Sequence, residues 1–288
     1  MALIGAGRVA TALAVLLERA GYRAVAASGR EASEDRVKRH LPFAAFYSPS
    51  EANLAARSAS LVVLGVPDDS IAPLCSELAG RVSFHPGQWV LHLSGSVGLD
   101  ALAPARLLGA EILSLHPLQS FPSLEEGIRQ LPGSAVAVTA LDEQGFEVGE
   151  ELARDVGGKP FRLSDPAKPL YHAAAVFCSN YLVAVEGMAE HLFRLAGLAE
   201  PLPMFGPLAR ATLEATLARG PEAALTGPAI RGDVGTVRRN LEALSRQAPE
   251  AVDSYVALAR LAADLAAKSG RLTAQGYARL REELDEWK

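Results

Sequence analysis

The sequence predicts an α/β fold, a doubly wound and mostly parallel sheet, followed by an all-helical second domain. Three observations predict it. Short runs that are apolar throughout alternate with helical patterns over residues 1–165, a glycine-rich turn separates the first run from the first helix, and no strand-like run follows Asp165. A strand that is apolar on both faces must be covered on both faces, which is the situation in a parallel sheet flanked by helices.

Leu3 and Ile4 make the first strand and lead into Gly5-Ala6-Gly7, after which 9–19 has helical spacing. Residues 22–27 are strand-like and 31–41 form a charged helix. The run 61–66 is a buried strand stopped by Pro67; 70–78 is a helix and 89–93 a strand. A short helix at 99–107 precedes a strand at 111–115. A strand at 135–139, a helix near 143–156 and a strand at 160–163 complete the first domain, 1–165.

Pro166 and Pro169 then punctuate the chain, and 166–288 is read as the helical domain. Residues 170–195 read as one helix, roughly 39 Å long at 1.5 Å per residue. Lys168, between the two prolines, is placed outside it. Further helices are expected at 208–217, 234–245, 251–268 and 274–287. Pro207 and Pro249 suit first turns, Asp233 and Thr273 suit N-caps, and Gly270 suits the position beyond a helix end.

Hydrophobic residues make up 49% of the 288 and charged residues 21%, enough apolar surface for a large core. A net charge of −5 argues against a nucleic-acid partner, which needs a basic face. Two distant cysteines, Cys75 and Cys178, make neither a disulfide framework nor a zinc cluster, which points to a reducing compartment and a cytoplasmic protein. No run reaches the roughly 18 apolar residues that span a bilayer, and the apolar stretch 9–17 lacks the basic segment of a signal peptide. Only five of the 28 basic residues are lysine, so a lysine is the less ordinary observation. The helix 170–195 is apolar nearly all round and needs cover on every side. A homodimer through the helical domain supplies it; the alternative is a central helix buried within a monomer.

Gly5-Ala6-Gly7-Arg8-Val9-Ala10 stands where a strand turns into a helix. Gly5 permits a tight turn, Gly7 lets a pyrophosphate approach the backbone, Ala10 allows close helix–strand packing, and the helix N-terminus faces the phosphates. The second strand ends in Ser28-Gly29-Arg30 rather than in the acidic residue that takes the ribose hydroxyls of NAD. An arginine fork with a serine donor suits the 2′-phosphate of NADP, although an exposed loop arginine is the plainer reading and Glu31 lies beside it. Val66 and Pro67 suit the cofactor wall, and Asp69 the N-cap of the next helix.

For chemistry, Ser94, Gly95 and Ser96 form a turn whose amides can bind a substrate oxyanion, while His92 reads as a satisfied buried histidine. His116, in His-Pro-Leu-Gln, either donates a proton to the carbonyl or imine being reduced or fixes its loop. His172 and Ser179 are seven residues apart and share a helix face, with Asn180 about 80° around. That polar stripe is either the substrate wall or a helix–helix network. Residues 225–233 read as a polar loop in which Arg231 can clamp a carboxylate and Asp233 caps a helix.

Together these motifs resemble the Rossmann-like proteins with a helical C-terminal domain of unknown function, which are grouped as NADP oxidoreductases. The match rests on Gly-Ala-Gly-Arg-Val-Ala, Val66-Pro67-Asp68, His92-Leu-Ser94-Gly95, His116-Pro-Leu-Gln119, Ser179-Asn180, Leu225-Thr-Gly-Pro and Arg231-Gly-Asp233. The layout is similar to pyrroline-5-carboxylate reductase, ketopantoate reductase and the β-hydroxyacid dehydrogenases. The resemblance implies an N-terminal NADP domain, a dimerising helical domain and an active site between them. The sequence departs from the dehydrogenases where their lysine lies one turn before an asparagine, since Val176 holds that place before Asn180. The expectation is therefore an NADP(H)-dependent oxidoreductase acting on a small carbonyl, imine or hydroxy acid. A non-catalytic NADP-binding sensor or scaffold is the alternative, and a deazaflavin partner a further possibility.

Overall fold

The computed structural model describes residues 1–287. The elements of the first half are β1 (Ala2–Ile4), α1 (Arg8–Arg19), β2 (Ala26–Ser28), α2 (Glu31–His40), β3 (Ala45–Tyr47), α3 (Ala52–Arg57), β4 (Leu61–Leu64), α4 (Asp68–Gly80), β5 (Trp89–His92), α5 (Ala103–Leu107), β6 (Glu111–Pro117), α6 (Leu124–Gln130), β7 (Ala135–Ala140), α7 (Glu143–Asp155) and β8 (Lys159–Arg162). The eight strands form one sheet in the order β3-β2-β1-β4-β5-β6-β7-β8. Every pairing is parallel except the antiparallel β6–β7 pair. The sheet is therefore doubly wound and mostly parallel, with β3 added to the strands read from the sequence.

Alternate residues of each strand feed two separate cores. Leu3, Val63, Leu91 and Leu113 pack on one face with Leu13 and Leu17 of α1 and Leu152 of α7. Ile4, Val62, Leu64, Val90 and Ile112 pack on the other with Ala55 of α3 and Ile71 and Leu78 of α4. This is the period-two arrangement that makes the strands apolar throughout. The chain reverses its winding direction between β1 and β4, and the C-terminal ends of those strands open the crevice where such sheets bind ligands.

The helices that follow are α8 (Lys168–Cys178), α9 (Asn180–Leu195), α10 (Pro201–Arg219), α11 (Pro221–Ala224), α12 (Pro228–Arg231), α13 (Val234–Gln247), α14 (Val252–Lys268) and α15 (Ala274–Asp285). Among the described residues no strand follows β8. The chain forms two compact units, Met1–Asn180 and Tyr181–Lys288, so α8 belongs by its contacts to the first. The second unit has its own core, built on Val237, Leu241, Val256, Ala263, Leu280 and Leu284. Among the described residues no helix is long and apolar enough to cross a membrane.

Four local expectations need correction. The single helix 170–195 is interrupted at Ser179 (φ −119°, ψ −68°), where the backbone leaves helical geometry before α9 begins at Asn180; serine and asparagine are weaker helix formers than the alanine and leucine around them. Neither piece is a buried central helix: Leu170, Phe177 and Val183 are exposed. Lys168 lies inside α8 as its first residue, since the following Pro169 falls in the first turn, where a missing N–H breaks nothing. Pro207 lies within α10, which starts at Pro201; Pro201 and Pro203 hold the first turn. The loop 225–233 contains α12. Asp233 and Thr273 do cap α13 and α15, accepting from the Thr236 and Gly276 amides.

Candidate active site

The turn between β1 and α1 is built by close backbone approach. Gly5 takes φ +87°, a region closed to most side chains. The Gly5 and Ala6 amides donate to the Ser28 carbonyl at 2.9 and 3.1 Å, fixing the turn against β2. A Cβ on Gly5 would lie 2.5 Å from Val66 Cγ1, and one on Gly65 would lie 2.4 Å from Ala10 Cβ and 2.5 Å from the Gly5 carbonyl oxygen. Ala10 thus does the helix–strand packing expected of it, and Gly65, which sequence reasoning missed, is the residue it packs on. Gly7 is the N-cap and carries no side chain to satisfy the helix. The Arg8 and Val9 amides have no acceptor among the described residues, leaving a nest open to an anion.

A cavity of about 760 Å³ runs from this turn along the strand ends. Residues 5–10, Ser28, Gly29 and Arg30 line it, as do Val66, Pro67, Asp68 and, farthest along, Leu93 and Ser94. Arg30 is exposed and stands at the N-cap of α2, and its guanidinium makes no hydrogen bond among the described residues, so its fork is available at the rim. Ser28 is not: it is buried and its hydroxyl donates to the Ser48 carbonyl at 3.1 Å, which corrects its expected role as a phosphate donor. Ser33, in the first turn of α2, is a hydroxyl on the same wall that the sequence reading overlooked.

Asp69 is not an N-cap, because α4 begins one residue earlier with Pro67 in the cap position. Asp68 has a more specific part. Its Oδ2 accepts from Ser94 Oγ at 2.8 Å and Ser96 Oγ at 2.6 Å, tying the β4–α4 turn to the 94–96 turn. His92 is fully buried, and Nδ1 accepts from the Ser94 amide at 3.2 Å. Its Nε2 makes no well-formed hydrogen bond, so it is only half satisfied. Burial, reinforced by the charge of Lys168, pushes its pKa down to about 3.

His116 on β6 meets α8. Its Nδ1 pairs with the Tyr171 hydroxyl at 2.9 Å, and its ring centroid lies 6.1 Å from that of His172. A Cβ on Gly95 would lie 2.8 Å from His116 Cε1 and Nε2, so the imidazole rests against the 94–96 turn. Burial first, then Lys168 and His172, lowers the His116 pKa to about 4. At neutral pH it is a neutral ring, which removes the imidazolium form of the expected proton donor. Burial raises the Tyr171 hydroxyl to about 12.

Lys168 is the charged residue that the sequence reading left outside. It is 1% exposed, and its ammonium donates to the Ser94 carbonyl at 2.9 Å and the Ser114 hydroxyl at 2.7 Å. The proline after it was the available signal, since Pro is favoured just inside a helix start. The other expected residues are not gathered here. Ser179 and Asn180 are exposed and their side chains make no hydrogen bond among the described residues, so of the polar stripe only His172 lies beside His116. Arg231 is the exposed last residue of α12, in the second unit. Among the described residues there is no cluster of metal-binding side chains.

Comparison with known proteins follows the same division. Residues 1–117 match the Rossmann-like domain family, and 134–262 match the domain of unknown function DUF2520. No curated protein sequence matches the chain. Among solved structures, a Bacteroides fragilis protein provisionally named an NADP oxidoreductase superposes with a TM-score of 0.74 at 21% identity, over 91% of this chain and 97% of that one. A Thermotoga maritima protein gives 0.68 at 21%, over 93% and 98%. The imine reductase of Myxococcus stipitatus, in complex with NADP+, gives 0.64 at 16%, over 94% of each chain. At these identities the likeness is one of fold.

Proposed function

We propose, for a chain that joins a Rossmann-like domain to the DUF2520 domain, that it is an NADP(H)-dependent oxidoreductase. Its substrate is a small carbonyl compound, imine or hydroxy acid. The observation that carries this reading is the continuous cavity that starts at the glycine turn and Arg30 and ends at Ser94. A dinucleotide needs a phosphate cradle at one end and a walled reaction site at the other; the glycine turn suits the first, and the reach of the cavity to Ser94 supports the second.

The chain fits the cofactor where it has been pared to glycine. Gly5, Gly7 and Gly65 keep the floor of the cradle free of Cβ atoms, and the first amides of α1 take the diphosphate. Arg30 is the fork for a 2′-phosphate, which favours NADP over NAD. Val66 and Pro67 wall the crevice at the C-terminal end of β4. The cofactor, when bound, supplies the hydride that the substrate carbon accepts. The protein must bring a proton to the adjoining oxygen or nitrogen, and His116 with Tyr171 is the hydrogen-bonded pair placed against the 94–96 turn.

Calorimetry with NADPH and NADH tests the cofactor, and following absorbance while 2-oxo acids and cyclic imines are offered with NADPH tests the reaction. Saturable binding without turnover of any of them selects the second reading, an NADP-binding sensor. The exposure of Ser179 and Asn180 and the neutral His116 favour that alternative. The second unit further supports a homodimer, because Val183, Met204, Leu208 and Leu217 hold apolar side chains in water.

A further inference from the structure

A lysine shut away from water needs a partner that repays the loss of hydration, and Lys168 pairs with no carboxylate among the described residues. Its ammonium converges instead with the Ser114 hydroxyl, at 2.9 and 3.2 Å respectively, on one carbonyl oxygen, that of Ser94. The Ser94–Gly95 peptide is trans, so the N–H on its other side points away from the lysine. Drawing electron density toward the oxygen makes that N–H a stronger donor.

The rest of the turn has no donor to spare. The Ser94 amide is taken by His92 Nδ1, and the Ser96 and Val97 amides by Ser94 Oγ at 3.1 and 3.0 Å. The Ser94 and Ser96 hydroxyls both serve Asp68. The Gly95 N–H alone among these donates to nothing among the described residues. Residue 95 can carry no side chain of its own, because a Cβ there would strike the His116 ring, which packs against this glycine.

We propose that Lys168 is a positioning residue that aims and polarises the Ser94–Gly95 peptide, making the Gly95 N–H the donor to a substrate oxygen that gains negative charge. This rests on the 94–96 turn being the substrate wall, and it selects a carbonyl compound over a cationic imine, which offers no such acceptor. The charged and titratable groups facing Lys168 are Asp165 before α8, Asp68 of α4, His92 of β5 and His116 of β6. Burial lowers the lysine pKa to about 8 against the pull of Asp165 and Asp68, so the ammonium persists at neutral pH and is lost above it.

The test labels the full-length protein with carbonyl-13C serine and 15N glycine, which marks only the three Ser–Gly peptides at 28–29, 94–95 and 269–270. One of the three signals should titrate with a midpoint near pH 8 in the wild type and not in Lys168→Met. With the carbonyl substrate found by the screen, Lys168→Met should lower kcat by roughly 10- to 100-fold, leave the KM for NADPH unchanged and abolish the alkaline loss of activity; Lys168→Arg should restore part of the rate. Three signals that stay fixed through that pH range overturn the proposal. So does a Lys168→Met protein that reduces carbonyls at the wild-type rate, or a wild type that turns over only imines. If Lys168→Met does not fold, the wild-type titration and Lys168→Arg decide. Absence of NADPH binding sinks the proposed function instead, and the labelled peptide reports on Lys168 either way.

Discussion

At the scale of single residues, the cofactor reading depends on groups that have nothing else to bond. Arg30 is the clearest case. A charge-assisted fork is worth about 1.5–3 kcal/mol, so Arg30→Ala should weaken NADPH binding by roughly 10- to 150-fold while NADH binding stays within about 2-fold. Calorimetry with the two nucleotides reads both numbers, and equal losses would remove the 2′-phosphate from the argument. Buried histidines give a second expectation. His116 titrates near 6.5 when unfolded and near 4 when folded, so the folded chain binds fewer protons between those values. Its neutral burial is fully compatible with folding above pH 6.5 and becomes a growing liability as pH falls toward 4, on the order of 3 kcal/mol. His92 acts with the same sign down to about 3. Denaturant unfolding at a series of acidic pH values should show this decline, and His116→Gln should flatten it. Gly5, Gly7 and Ala10 were legible in the sequence because their constraints come from one local turn. Lys168, Asp68, Tyr171 and Gly65 were not, because each has its meaning from a partner far along the chain.

At the scale of elements, the strand ends and helix starts carry the chemistry. β1, β4 and β5 finish side by side, and their following turns meet because the strands pair in parallel register. Gly65 and Ala10 set how closely α1 approaches β4. In Gly65→Ala the new methyl would overlap Ala10, a strain of about 1–3 kcal/mol, and the turn would have to open. The expected result is a lower melting temperature together with weaker NADPH binding; Gly133→Ala, at a glycine whose Cβ meets nothing within 4 Å but whose φ is +86°, should affect stability alone. Helical periodicity located α1, α2, α7, α13, α14 and α15 to within a few residues. It overran at Ser179, since apolar spacing is blind to a break of the backbone at a single residue. It missed β3, a strand of three residues that has one pairing neighbour and no buried residue to announce it.

At the scale of the whole molecule, the second unit leaves large apolar side chains in water, with Val183 71% and Leu217 78% exposed. Burying such surface is worth about 25 cal/mol per Å², so two copies should associate through it. Sedimentation of the wild type should give a dimer, and the pair Val183→Asp with Leu217→Asp should shift it to monomer; a wild-type monomer at all concentrations would sink the idea. The amino-acid order by itself determined the doubly wound sheet, the helical half and the glycine turn, because apolar periodicity and steric tolerance act between near neighbours. Only the folded chain decided which donors were spent and which were free, that His116 is neutral, and that a buried lysine stands beneath the Ser94–Gly95 peptide. Those properties follow from burial and from distances between segments some seventy residues apart, and no local pattern encodes them.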